Sequence, residues 1–140
     1  MSSPVSPAPA TPLTVVDSSG WIEFFTDGPQ ANDFAPAIEA SSQLIVPSLS
    51  LLEVFKWVLR EHGESAAIQA TALMQRGHVV ELSAQLALEA AQLGLAHHLP
   101  MADSVILATA RQHKARLLTL DSDFAELRDV VWIPPLRSAP

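Results

Sequence analysis

Five short apolar runs punctuate the chain: Leu13-Thr-Val-Val16, Leu44-Ile-Val46, His78-Val-Val-Glu-Leu82, Arg116-Leu-Leu-Thr-Leu120 and Val130-Val-Trp-Ile133. Runs this short and this continuous suit strands buried on both faces, the condition of strands in a parallel sheet. Segments of helical spacing lie between them, at 20–25, about 33–40, 50–60 and 64–75. A further helix is opened by Ser83, with Leu86, Ala90 and Leu93 on one face. Another is opened by Pro100, which suits a helix start, and a short one is expected at 124–127. Strand and helix therefore alternate. That order predicts an α/β fold with a mostly parallel sheet covered on both faces, right-handed crossovers, five strands and about seven helices.

The chain has 140 residues, 49% of them apolar, enough for one domain with a real core. Residues 1–12 are rich in Pro, Ala and Ser without periodicity and are expected to be a disordered tail; the domain is expected over 13–137. The chain has no cysteine, so neither a disulfide framework nor a thiolate metal site is available. A basic start leading into an apolar core is missing, so no signal peptide is predicted. No apolar run reaches the length of a membrane span. The expected location is cytoplasmic. The formal net charge is −7, opposite to the basic footprint of most nucleic-acid binders. Acids gathered around a divalent cation would reverse that sign locally.

In a parallel α/β sheet, helix N-termini and strand C-termini share one edge, where ligands bind. Four acids fall on that edge. Asp17 follows the first run, and Glu53 lies early in the helix after the second. Asp103 lies in the first turn of the helix opened by Pro100, and Asp121 follows the fourth run. Carboxylates held together repel unless they are protonated or share a cation. An all-oxygen set favours a hard ion, Mg²⁺ or Mn²⁺, which activates water and stabilises charge on a phosphate under attack.

Each acid also has a purely structural role open to it. Asp17 suits a helix N-cap. Ser50-Leu-Leu-Glu53 has the spacing of a capping box, and Lys56 is placed to pair with Glu53. Asp103 complements a helix dipole. Asp121-Ser-Asp123 suits a capped turn. The shared edge is what favours a site.

The chain resembles the PIN-domain ribonucleases, in particular VapC-type toxins of bacterial toxin–antitoxin pairs. The matching pieces are Val15-Val-Asp17-Ser-Ser, Pro47-Ser-Leu-Ser-Leu-Leu-Glu53-Val, Ala102-Asp103-Ser-Val-Ile-Leu-Ala-Thr-Ala and Leu118-Thr-Leu-Asp121-Ser-Asp123-Phe. They occur in the family's order and cover nearly everything from Leu13 to Ile133. The resemblance implies a PIN-like three-layer α/β/α fold with a five-stranded parallel sheet. It implies cleavage of single-stranded RNA with Mg²⁺ or Mn²⁺ by the acidic quartet Asp17, Glu53, Asp103 and Asp121. It also implies a homodimer and a cognate antitoxin partner.

Three residues near the quartet are candidates of second rank. Thr119 is placed to orient water or a carboxylate, Asp123 is a possible fifth acid, and Ser18 can reach a metal-bound water or cap a helix. Lys56 and Arg60, one and two turns past Glu53, are the best-placed RNA clamps. His97-His98 reads as a solvated helix end. Trp21, Phe24, Phe25 and Trp57 read as core and interface. Three other readings compete. An aspartyl phosphotransferase would want a general acid two residues after the first acid, where Ser19 stands. A catalytically silent PIN-like module would not need all four acids. A PIN nuclease in RNA processing differs from a toxin only in its partner.

Overall fold

The computed structural model describes residues 12–134 and Leu136. The tail expected over 1–12 falls, apart from Pro12, outside the described residues, as does the domain end expected at 137. Five strands form one sheet: β1 (Thr14–Val16), β2 (Leu44–Pro47), β3 (His78–Val80), β4 (Arg116–Thr119) and β5 (Val130–Trp132). Their spatial order is β3-β2-β1-β4-β5, and every neighbouring pair is parallel. Six α-helices connect them among the described residues: α1 (Ser18–Phe25), α2 (Ala31–Glu39), α3 (Ser48–His62), α4 (Glu64–Met74), α5 (Ala84–His97) and α6 (Met101–Gln112).

The seventh expected helix, at 124–127, is instead a 3-10 turn at Ser122–Phe124. The Asp121 side chain caps that turn by accepting from the Asp123 N–H at 2.9 Å, and the chain must reach β5 within a few residues. β3, β4 and β5 end before their apolar runs do, leaving Leu82, Leu120 and Ile133 beyond the ladder, while β2 runs on to Pro47. The apolar run reports burial, whereas the strand ends where the pairing partner does.

Alternation along the central strands builds the layers. Val16, Leu44, Val46 and Leu118 face a core with Trp21, Phe34, Val54, Val58 and Met74 from α1 to α4. Val15, Ile45 and Leu117 face the opposite way, against Ile106, Leu107 and Ala110 of α6 and Phe124. The sheet is thus buried on both faces, with α5 packed on α6 through Leu86, Ala90, Val105 and Ala108.

Two glycines are required by this geometry. Gly20 lets α1 press on α2: a Cβ there would stand 2.4 Å from the Phe34 ring. Gly63 joins α3 to α4 with φ +89°, a conformation that other residues adopt only with strain. Ser83 caps α5, accepting from the Leu86 N–H at 3.1 Å. Ser50 does not cap α3. That helix starts at Ser48 after Pro47, so Ser50 lies inside it, fully buried and with its hydroxyl unpartnered.

Candidate active site

The carboxyl edge of the sheet carries all the acids singled out from the sequence. Asp17 directly follows β1 and is the N-cap residue of α1, but its side chain makes no cap hydrogen bond to the helix. It is held from the side instead. Its Oδ2 accepts from the Thr119 hydroxyl at 2.8 Å and the Ser19 hydroxyl at 2.9 Å. These two hydroxyls also accept from the backbone N–H groups of Asp121 (2.9 Å) and Leu120 (3.3 Å). The ends of β1 and β4 are thereby tied together through one carboxylate. Asp17 is only 4% exposed. Burial raises its pKa, more than the hydroxyl and backbone donors lower it, and nearby Asp121 adds to the rise.

Glu53 projects from α3. Its Oε1 accepts from the Ser18 hydroxyl at 2.8 Å, so Ser18 neither caps α1 nor stands free. Burial pushes the Glu53 pKa up, the Ser18 bond opposes this, and the Asp17 charge adds to the rise. The capping-box pairing expected with Ser50 does not form. Neither does an ion pair with Lys56: among the described residues the only salt bridge is Arg60–Glu61, at 3.0 Å. Lys56 and Arg60 are both exposed.

Asp103 stands in the first turn of α6 and feels every other acid. Its pKa is raised to about 7, chiefly by burial and then by Asp17, Asp121, Glu53 and Asp123. Such mutual repulsion places all five carboxylates in one field. Within it, Asp103, Asp121 and Asp123 each offer an oxygen within 4.8 Å of the others. Oxygens bound to one ion at 2.0–2.1 Å stand no more than about 4.2 Å apart, so a spread of up to 4.8 Å is somewhat wider than ligating separation. The donor set is oxygen only, as a hard divalent ion requires. Beyond burial, the rest of the Asp103 shift is repulsion from the neighbouring carboxylates, which such an ion relieves. The residues present therefore fit a divalent metal.

Asp123 is drawn in further than its spacing suggested. The Asp121 Oδ1 accepts from the Asp123 N–H, and this Asx-type turn folds the second acid back beside the first. The Asp-Ser-Asp triplet was the available signal. The two histidines, as expected, end α5: His97 is its last residue, and His98 follows in the left-handed conformation at φ 55° and is exposed. Trp21 is fully buried, while Phe24, Phe25 and Trp57 pack partly exposed against the core. No described helix is long and apolar enough to cross a membrane.

Several solved structures share this fold. A toxin–antitoxin complex from Klebsiella pneumoniae matches with a TM-score of 0.72 at 25% identity, over 84% of this chain and 95% of that one. VapC20 of Mycobacterium tuberculosis, described as a sarcin–ricin loop cleaving toxin, matches at 0.65 and 21%, over 80% and 92%. VapBC2 of Rickettsia felis, bound to a DNA fragment from its promoter, matches at 0.66 and 13%, over 86% and 96%. No curated protein sequence matches the chain. The PIN-domain family model covers residues 14–130, the span from β1 into β5 that holds all five acids. With fold, sheet edge and sequence model in agreement, this chain belongs to the PIN-domain family.

Proposed function

We propose that the protein is a divalent-metal-dependent endoribonuclease that cleaves single-stranded RNA, acting in the cytoplasm as the toxin of a toxin–antitoxin pair. The carboxylate trio of Asp103, Asp121 and Asp123, with Asp17 and Glu53 beside it, carries this reading. Membership of the PIN family and the likeness to a toxin–antitoxin complex support it. Asp103, Asp121 and Asp123 would hold Mg²⁺ or Mn²⁺, with Asp17 and Glu53 completing the acidic site. When bound, the ion supplies a more acidic water and stabilises negative charge on the phosphate.

The chain's own groups set the geometry. Thr119 and Ser19 fix one oxygen of Asp17 and leave the other carboxylate edge for the site. Ser18 aims Glu53 inward. Thr119, Ser18 and Ser19 are thus positioning residues, holding carboxylates through hydrogen bonds that need no rearrangement during reaction. Lys56 and Arg60, exposed along α3 beyond Glu53, contact RNA phosphates. The protein works as a homodimer and is silenced by a cognate antitoxin.

The test is cleavage of single-stranded RNA by partner-free protein. Activity is expected with Mn²⁺ or Mg²⁺ and lost in EDTA or in the Asp121→Asn variant. Cleavage that persists in EDTA would overturn the metal mechanism; inactivity on varied RNAs with metal would favour a silent module. Co-expression with the neighbouring gene is expected to yield a complex that does not cleave.

A further inference from the structure

The opposite edge of the sheet carries the opposite charge. Four of the chain's eight Lys and Arg residues line one pocket of about 490 Å³, formed by Arg111, Lys114, Arg116 and Arg128 around Leu13 and Asp129. Leu13 precedes β1, Arg116 opens β4 and Asp129 precedes β5, so the pocket sits at the amino edge of the parallel sheet. Ladder bonds hold these positions rigidly: Arg116 N–H to the Leu13 carbonyl at 3.0 Å, and Leu117 N–H to the Asp129 carbonyl at 2.9 Å.

The cations are poorly compensated. None of the four is in a salt bridge among the described residues, and residues 1–11 and 137–140 contain no Asp or Glu. Arg111 Nε is shielded from solvent and has no hydrogen-bond partner among the described residues. Its pKa is lowered by burial and by repulsion from Arg128, with Asp129 only partly opposing. Arg116 Nε donates to the Thr14 hydroxyl at 2.9 Å, which orients its guanidinium. Lys114 is placed by the turn that ends α6. Its N–H reaches the Arg111 carbonyl and the Ala115 N–H reaches that of Ala110, a Schellman pattern whose left-handed position favours Gly. Lys occupies it at φ 53°.

We propose that this pocket is a phosphate-binding site for a nucleotide chain. On the ribonuclease reading, on which this rests, its ligand is a phosphodiester of the RNA strand whose scissile bond lies at the acidic edge. Three guanidiniums suit the forked geometry of a phosphate, and the volume suits a nucleotide. Asp103 and Arg111 lie on one helix, eight residues apart, about 12 Å along its axis. The seven residues between them are buried, so a strand that meets both the acids and the cations passes over neighbouring surface and spans more than this distance. The acidic edge cannot hold phosphate without its cation; this pocket can.

The experiment measures binding of labelled single-stranded RNA to the full chain in EDTA, where turnover is not needed, across a salt series. Thermal shifts with inorganic phosphate and AMP run in parallel. Arg111→Gln and the exposed Arg128→Gln are each expected to weaken RNA binding about three- to tenfold. Each should also reduce the slope of log K against log salt by about 0.7, the value of one phosphate contact on a single strand. Arg76→Gln, outside the pocket, should change neither. If phosphate and AMP stabilise wild type but not Arg128→Gln while RNA affinity is unchanged, the phosphate site stands and its source is a free nucleotide. Pocket variants that match wild type in every measurement overturn the proposal, even if the protein cleaves RNA. Conversely, an inactive protein whose phosphate binding follows Arg111 and Arg128 would refute only the ribonuclease reading.

Discussion

Asp103→Asn separates a shared cation site from a set of independent helix-end acids. A carboxyl whose folded pKa is raised holds its proton more tightly folded than unfolded. For Asp103, raised from 3.8 to about 7, metal-free stability is therefore fully present below about pH 4 and is lost as pH climbs to about 7. That difference corresponds to a ceiling of about 4 kcal/mol. Asp103 is only partly buried, and solvent screening reduces the ceiling to about 2 kcal/mol. Asparagine removes the penalty but gives up a favourable contact with the α6 N-terminus, about 0.3–1 kcal/mol. The net gain at pH 8 is about 1–1.5 kcal/mol. At 2–4 °C per kcal/mol for a chain of this size, that is a Tm rise of about 2–6 °C in EDTA. The advantage should shrink at pH 5, where the wild-type carboxyl keeps its proton. Mn²⁺ at a hundred times its Kd should then add about 2.7 kcal/mol to wild type and much less to the variant. Thermal unfolding at the two pH values, with and without Mn²⁺, reads all of this. A variant that melts below wild type at pH 8, with Mn²⁺ shifting neither protein, would refute the reasoning.

Three other perturbations follow from the geometry. Asp123→Asn removes one member of the carboxylate trio and should weaken Mn²⁺ binding about tenfold or more by calorimetry; unchanged affinity would place the ion elsewhere. Thr119→Val deletes a buried donor to Asp17 and should cost about 1–3 kcal/mol. The loss should grow as pH rises through the Asp17 titration, since the donor favours the ionised carboxylate; a pH-independent loss in urea titrations would assign Thr119 to packing alone. Gly63→Ala meets nothing within 4 Å, so its cost is purely conformational: at φ 89° and ψ 175° a residue other than Gly pays about 1–3 kcal/mol, read as a lower urea midpoint at unchanged slope.

Much of this was legible in the chain itself. Short continuous apolar runs in alternation with helical spacing dictate strands buried on both faces, and parallel pairing then puts strand ends and helix starts on one edge. Asp17, Glu53, Asp103 and Asp121 could be assigned to that edge from position alone. Local chemistry also read correctly where partners are local: Ser83 caps α5 because its acceptor and the Leu86 N–H lie in the same turn.

Tertiary structure decided the partners. Ser18 has a helix start beside it in sequence, yet bonds Glu53, 35 residues away; Thr119 bonds Asp17 across 102 residues. Spacing cannot show such bonds, because a hydroxyl's choice depends on which distant strand end the sheet order sets next to it. Asp123 joined the trio for the same reason: the turn capped by Asp121 faces α6 only once β4 has paired with β1. The cationic pocket was equally hidden. Arg111, Lys114, Arg116 and Arg128 are spread over a helix, a strand and the turns before β4 and β5, within a chain of net charge −7. Sequence determines total charge and local turns, and the fold determines which charges are left facing one another.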